Sequence, residues 1–356
     1  MQTSTLHRSK CPSIIGLTAI IFAASLLAGC SKPPQEQHIE GYAQGTTYHI
    51  TFWSKKTVPT DEVESSFNTT LAQIDKELST YRPDSYISKF NSSKSTKWQP
   101  ASQNFIDLIN IAKDINKKSE GCYDPTIGPL FDLWGFKKDT LHVPTDAEIA
   151  ATKADMGLDK IQVDEKDKLI RKTNPLVQLD FSSMGEGYTI GKLSKILESK
   201  GINNYLVEFG GDMKIKGHKP DGKKWRIAIQ RPIKEKDGSQ KVYKIVTIED
   251  EKGVTLDTSG TYNHYFDDKG VEYSHILNPS TGRPVTHDLV SASVFGTDPR
   301  ISDAWATTML CLGPVEGAKI AKKQHLEVFF IEHKNGKFVN SESEALSSTK
   351  RLKFDK

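Results

Sequence analysis

The chain lacks what would mark it as a polyanion binder, a disulfide scaffold or a membrane-spanning protein. Its 48 Lys and Arg against 45 Asp and Glu leave a formal net charge of +3, with no excess of the kind that recruits nucleic acid. Four cysteines are too few for a disulfide framework, and a chain of this length needs none in order to fold. No internal repeat is present, and no low-complexity block lies outside a short Pro- and Gln-containing stretch at 31–38. The apolar run 13–28 is too short to span a membrane and ends at small residues. What is left is a globular chain of one large domain or two intimate lobes, whose function must lie in local constellations of residues.

The N-terminus carries the first of these. A basic cluster at 7–10 precedes the apolar run, as in a secretory signal, and Leu27-Ala28-Gly29-Cys30 resembles a bacterial lipobox. That resemblance implies cleavage before Cys30 and acylation of its thiol and new amino group, several acyl chains being needed for a stable anchor. The expected organisation is a leader at 1–29, a lipidated tether at 30–40, a catalytic domain at 41–345 and a polar, loose tail from about 341, with 346–356 outside the domain. Cys122 and Cys311 then face an oxidising compartment, where they can pair. Ser31 after Cys30 lacks an acidic retention signal, which allows the outer membrane and leaves inner or outer open.

Periodicity places most elements. Val63, Phe67, Leu71, Ile74 and Leu78 form one stripe of a helix over 60–81, with Asp61, Glu62 and Glu64 in its first turn and Pro83 beyond its end. A second helix covers 103–117. Thr145-x-x-Glu148 is a capping box opening a surface helix to about 156. Residues 121–136 hold two prolines and three glycines but also Tyr123, Phe131, Trp134 and Phe136; so many rings pack on the core or line a pocket for a flat ligand. Residues 176–181 alternate as a strand leading through Ser182-Ser183-Met184-Gly185-Glu186-Gly187 into a helix closed by Gly201. This invites a dinucleotide-fold reading, but Gly185-x-Gly187-x-x-x-Gly191 misses the G-x-G-x-x-G spacing and Glu186 sets a carboxylate where a pyrophosphate would lie. A capping box, Ser183-x-x-Glu186, accounts for both side chains. The remainder is mostly strands, including a hairpin across Gly210-Gly211 and another across Asn335-Gly336, with Gly313-Pro314 dividing two helices.

The densest chemistry lies in 274–307. His275 falls at a strand end before the Thr281-Gly282-Arg283-Pro284 turn, where reactive groups collect. Asp303 and Thr307 are an i, i+4 pair on one helix face, able to share a hard cation or simply to form a polar edge on a buried helix.

Together the motifs resemble one family. Gly45-Thr46-Thr47-Tyr48, Ser79-Thr80-Tyr81-Arg82-Pro83, Asp124-Pro125-Thr126 with Trp134-Gly135-Phe136, Leu179-Asp180-Phe181 through Glu186-Gly187-Tyr188, Phe209-Gly210-Gly211-Asp212, Thr258-Ser259-Gly260, Ser274-His275-Ile276 and Asp303-Ala304-x-x-Thr307 occur in the order seen in ApbE-type FAD:protein FMN transferases, periplasmic flavin-handling lipoproteins. The resemblance implies an α+β fold of largely antiparallel sheets with packed helices and no Rossmann unit, FAD as bound substrate and magnesium as cofactor. FAD contacts carry over to Gln44, Tyr81, Trp134, Gly135, Phe136, Asp180, Glu186 and Leu277, and magnesium contacts to Ser183, Asp303 and Thr307. Asn278, Ala306 and Glu186 depart from residues common in other members. The implied acceptors are proteins such as subunits of ion-pumping NADH:quinone or ferredoxin oxidoreductases.

The implied reaction transfers FMN from FAD to a Thr or Ser hydroxyl, releasing AMP. A cation to bridge pyrophosphate oxygens and His275 to take the hydroxyl proton suit that chemistry, a free imidazole having a pKa of ~6.5. Two alternatives use the same residues: a magnesium-dependent FAD pyrophosphatase with water as nucleophile, and an FAD-binding lipoprotein without turnover.

Overall fold

A computed structural model describes residues 34–136, 140–233, 239–261, 265–268 and 271–355. The leader, the lipobox and Cys30 lie outside the described residues. Strands β1 (Gln37–Ala43) and β2 (Thr46–Trp53) open the domain as a hairpin. Its turn needs the left-handed backbone at Gln44 (φ 53) and Gly45 (φ 85). Helix α1 (Thr60–Leu78) buries Val63, Phe67, Leu71 and Ile74, the stripe read from the sequence. Helix α2 (Tyr86–Ser92) starts at Ser85, whose hydroxyl accepts from Ser88 N at 3.1 Å. Then come α3 (Gln103–Lys118), α4 (Gly128–Trp134) and α5 (Asp146–Lys153), the last opened by the expected Thr145–Glu148 capping box.

Helix α6 (Ser182–Ser199) leads into β3 (Asn204–Phe209), β4 (Asp212–Lys216), β5 (Val254–Gly260) and β6 (Leu289–Gly296). Helix α7 (Pro299–Gln324), β7 (Glu327–Lys334), β8 (Lys337–Glu342) and α8 (Glu344–Ser348) follow. The eight labelled strands form one sheet in chain order, with every neighbouring pair antiparallel. The fold is therefore α+β, and this sheet contains no parallel crossover of the Rossmann kind.

Alternation along β7 assigns its two faces. Val328 and Phe330 face the helical core with Met309, Leu310 and Phe105, whereas Phe329 and Ile331 face a second layer. That layer is the small sheet of Arg226–Gln230, Val242–Ile248 and Leu352–Phe354. Helices α1 and α6 cover the other half of the main sheet through Phe67, Leu71, Ile190 and Leu193.

Three local expectations are corrected. Residues 176–181 pair with no strand: Leu179 bonds instead to the side chain of Asn91, whose Nδ2 donates to Leu179 O and whose Oδ1 accepts from Leu179 N, both at 2.8 Å. Ser183 does not cap α6, because the helix already begins at Ser182 and its cap residue, Phe181, has no side-chain bond. The end of the chain is not loose: Leu346 and Leu352 are buried, Leu352–Phe354 pairs with Val242–Ile248, and Arg351 bonds to Asp250 and Glu327. Alternating burial there is too short to read as a pattern without its partners.

As expected, Gly313-Pro314 divides α7 into two helical parts, with Gly313 non-helical at φ 75 and ψ −177. Pro314 has no N–H for the carbonyl of Leu310 four residues back. Nε2 of His287 donates to that oxygen at 2.8 Å, and Nδ1 accepts from Leu289 N at 3.3 Å. The carbonyl orphaned by the kink is thereby satisfied.

Candidate active site

Helices α6 and α7 touch through a glycine. A Cβ on Gly187 would lie 2.2 Å from the carbonyl oxygen of Pro299 and 2.9 Å from Cβ of Asp303, so only glycine allows this approach. It brings the N–H of Gly187 to Oδ2 of Asp303 at 2.9 Å. The glycine spacing that invited a nucleotide-binding reading is thus a helix-contact motif.

Around this contact sit four acids: Glu186, Asp212, Asp257 and Asp303. Burial is the main reason each is harder to ionise than usual, and the acids reinforce one another. Asp303 is pushed up to about 8 by burial, against the donated bond from Gly187 and helped by Glu186. Glu186 is pushed up to about 7 by burial, with its hydrogen bond to Asp212 acting the other way. Asp212 and Asp257 are raised by burial and by their acidic neighbours. Among the described residues no Lys, Arg or His forms an ion pair with any of the four. Among the described residues neither oxygen of Asp257 meets a donor at hydrogen-bond geometry; the nearby Thr255 hydroxyl, which favours the ionised carboxylate, also bonds to that of Ser302 at 2.7 Å.

Such a donor set fits a hard divalent cation, since positive charge would relieve both the orphaned oxygens and the mutual repulsion. Among the described residues no three His, Cys, Asp or Glu side chains form a ready-made metal cluster. A cation here would therefore take mixed ligands, with hydroxyls and substrate oxygens beside Asp303. Thr307, one turn along α7, holds its hydroxyl 3.1 Å from that of Ser259. The hydroxyl of Ser183 donates to the Tyr123 hydroxyl at 3.2 Å.

Two cavities meet beside this cluster. The inner one, about 90 Å³, is lined by His275, Leu277, Ser183, Thr307, Tyr123 and Asp180 among others. The outer one, about 620 Å³, is lined by Gln44, Tyr81, Asp180, Glu186 and Phe209 among others. Only the outer one falls in the range of roughly 300–1,000 Å³ typical of ligand pockets; the inner one has room for a reacting group. Asp180 belongs to both. Tyr81 is 97% exposed, a ring available to cover a ligand, and Gln44 is held by Thr189, whose hydroxyl donates to its Oε1 at 2.9 Å. Glu186 carries its carboxylate over Gly210: a Cβ there would lie 2.2 Å from its Oε1 and would make the carboxylate shift.

The inner cavity has a covalent wall. Cys122, before Tyr123, is joined to Cys311, one turn after Thr307, by a disulfide. His275 sits in the bend between Val271–Ser274 and Leu277–Asn278.

Trp134, Gly135 and Phe136 are arranged differently. Trp134 is 1% exposed, donates from Nε1 to the carbonyl of Gly282 at 2.9 Å and packs with Phe136 and Leu130 behind Leu277. Gly135 ends α4 at φ 82. None of the three lines the two cavities. Of the departures, Asn278 accepts from Ser280 N at 2.8 Å and so makes the turn that an aspartate would. Ala306 is buried in the apolar core. The sequence reading missed Asp257, although an acid inside the apolar run Val254-Thr255-Leu256-Asp257 was a visible signal, and Tyr123, read only as a ring.

The ApbE family model matches residues 44–330. The FAD:protein FMN transferase of Salmonella typhimurium (strain LT2) is 35% identical over 320 residues, 87% of this chain and 90% of that protein. The Escherichia coli (strain K12) FAD:protein FMN transferase is 32% identical over 332 residues, 90% of this chain and 93% of that protein. The solved flavin transferase ApbE from Vibrio cholerae superposes with a TM-score of 0.78 at 30% identity, covering 88% of this chain and 99% of that one. The chain belongs to the ApbE family and is an enzyme of the flavin-transferase class.

Proposed function

We propose that this enzyme transfers the FMN part of FAD to a Thr or Ser hydroxyl of an acceptor protein, with magnesium as cofactor and AMP as leaving group. The observation that carries this reading is the convergence of His275, Ser183 and Thr307 on a small chamber that shares Asp180 with a ligand-sized one. Gln44, Tyr81, Asp180 and Glu186 hold FAD in the outer chamber, and Leu277, backed by Trp134, Gly135 and Phe136, walls the inner one. His275 accepts the proton of the incoming hydroxyl. The hydroxyl oxygen forms a bond to the phosphorus on the riboflavin side, and the anhydride bond to the AMP phosphate breaks. Asp303, Thr307 and Ser183 would hold magnesium, which when bound neutralises pyrophosphate charge. Acceptors are periplasm-facing electron-transfer subunits of the ion-pumping oxidoreductase kind. Acylated Cys30 anchors the enzyme in the bacterial envelope, a reading that the Cys122–Cys311 disulfide supports because such bonds persist in oxidising compartments.

Incubation with FAD, magnesium and an acceptor protein tests the activity by mass spectrometry. The expected result is an acceptor heavier by one FMN less one water, as a phosphoester requires, with one AMP released for each. Free FMN without acceptor modification would make water the nucleophile, and unchanged FAD would leave a binding protein. For the anchor, Cys30→Ser should leave an uncleaved precursor without lipid; a mature soluble form would overturn it.

A further inference from the structure

Lys172 ends the strand Leu169–Lys172 and is fully buried, with no carboxylate partner among the described residues. Its Nζ faces four backbone carbonyls instead: Asn91 at 3.2 Å, Ser93 at 2.7 Å, Pro175 at 3.3 Å and Val177 at 3.2 Å. The Phe90 ring centre lies 5.1 Å away. Two of the carbonyls belong to the C-terminal end of α2, where helix carbonyls are left over and a cation is favoured. The other two belong to the strandless segment that follows Lys172 itself. One ammonium thus ties that segment to α2.

The tie continues two residues later. The two-way amide clamp between Asn91 and Leu179 replaces a strand neighbour. The next residue is Asp180, whose N–H donates to the carbonyl of Pro125 at 2.8 Å and whose Oδ1 accepts from Ser182 N at 2.9 Å. Asp180 stands where the inner and outer chambers meet a third cavity of about 340 Å³ that Asn91, Gln178 and Leu179 help to line. An apolar side chain could fill the space of Lys172 without desolvating a charge. What it could not do is hold four carbonyls from two segments at one point.

We propose that Lys172 and Asn91 are positioning residues for FAD: by fixing the 175–179 segment against α2 they set Asp180 at the junction of the chambers. The proposal rests on the reading of Asp180 as an FAD contact. Its test is the steady-state kinetics of FMN transfer, with FAD varied, for Lys172→Met, Asp180→Ala and the double variant. Lys172→Met should raise KM for FAD roughly tenfold, the order expected when one hydrogen bond to a charged group is lost, with kcat at saturating FAD unchanged. In the Asp180→Ala background the same substitution should have no further effect, because it acts through the residue already removed. A lysine serving only stability would instead multiply its effect in both backgrounds, and that result, or a wild-type KM for Lys172→Met, overturns the proposal. Should Lys172→Met fail to fold, Asn91→Ala carries the same cycle with the same expectation. A wild-type KM for Asp180→Ala would remove the FAD reading itself and the proposal with it. A raised KM there beside a wild-type Lys172→Met would sink the positioning alone.

Discussion

Two buried charge sites in this fold are treated in opposite ways. Lys172 is met by the chain's own backbone, with four carbonyls around one ammonium, although burial still lowers its pKa to about 8. The acids about Asp303 have no base beside them among the described residues: Asp212 and Asp257 are pushed up by burial and by acidic neighbours, and the oxygens of Asp257 meet no described donor at hydrogen-bond geometry. An orphaned buried polar atom costs about 1–3 kcal/mol, more when charged. The proposed magnesium site rests on this contrast.

The largest effect expected follows from removing the open site's central ligand. Asp303→Ala should abolish magnesium-dependent turnover while FAD affinity, measured by calorimetric titration, falls less than about tenfold, since the residues proposed to hold FAD remain in place. Turnover at the wild-type rate would return the acid cluster to a structural role. Next, His275→Ala should slow transfer by roughly 10²–10⁴ with FAD and magnesium binding nearly intact. The wild type should also lose rate on acidification as the imidazole protonates. A mutant with the wild-type rate and the same acidic limb in its pH–rate profile would move the base elsewhere.

Further down the scale, the covalent wall of the inner chamber can be opened. The disulfide closes a long loop, its cysteines 189 residues apart in sequence, so Cys122→Ser with Cys311→Ser should lower stability by about 3 kcal/mol in denaturant unfolding. An unchanged midpoint would mean that packing alone holds the loop.

The smallest effect is the pH dependence of the metal-free protein. Folding raises Glu186 from an ordinary 4.5 to about 7 and Asp303 from 3.8 to about 8. The folded state therefore holds these protons more tightly than the unfolded one. Their contribution is fully present below the unfolded values and is lost as pH rises toward the folded ones. In the presence of a chelator, Tm should fall between about pH 4 and pH 8, and Asp303→Asn should flatten that slope. An equal slope in both proteins would place the linked protons elsewhere.

Much of this comparison was legible in the sequence, but unevenly. Asp303 and Thr307 were placed on one helix face by spacing alone, and the α1 stripe, the Thr145–Glu148 box and the Asn335-Gly336 turn emerged as local patterns that the structure repeats. Long-range partners decided the rest. Residues 176–181 alternate like a strand, yet their neighbour is an amide side chain from Asn91, 88 positions away from Leu179. Lys172 went unread because nothing in its own neighbourhood announces the α2 carbonyls. Ser183 matched a capping pattern, but the helix had already begun and its hydroxyl turned to Tyr123. Asp257 stood out as an acid in an apolar run, but what it faces is set by Asp303 and Glu186, distant in the chain.

Magnesium titration at pH 7, run in buffers of different ionisation enthalpy, tests the central claim most directly. If the open acid cluster is a cation site, wild-type protein should bind one ion per chain and release protons into the buffer. The carboxyls there still hold protons at that pH, and a metal must displace them. Asp303→Ala should lose both the binding and the proton release. Magnesium binding of equal strength and proton yield in the two proteins, or none in either, would contradict the account.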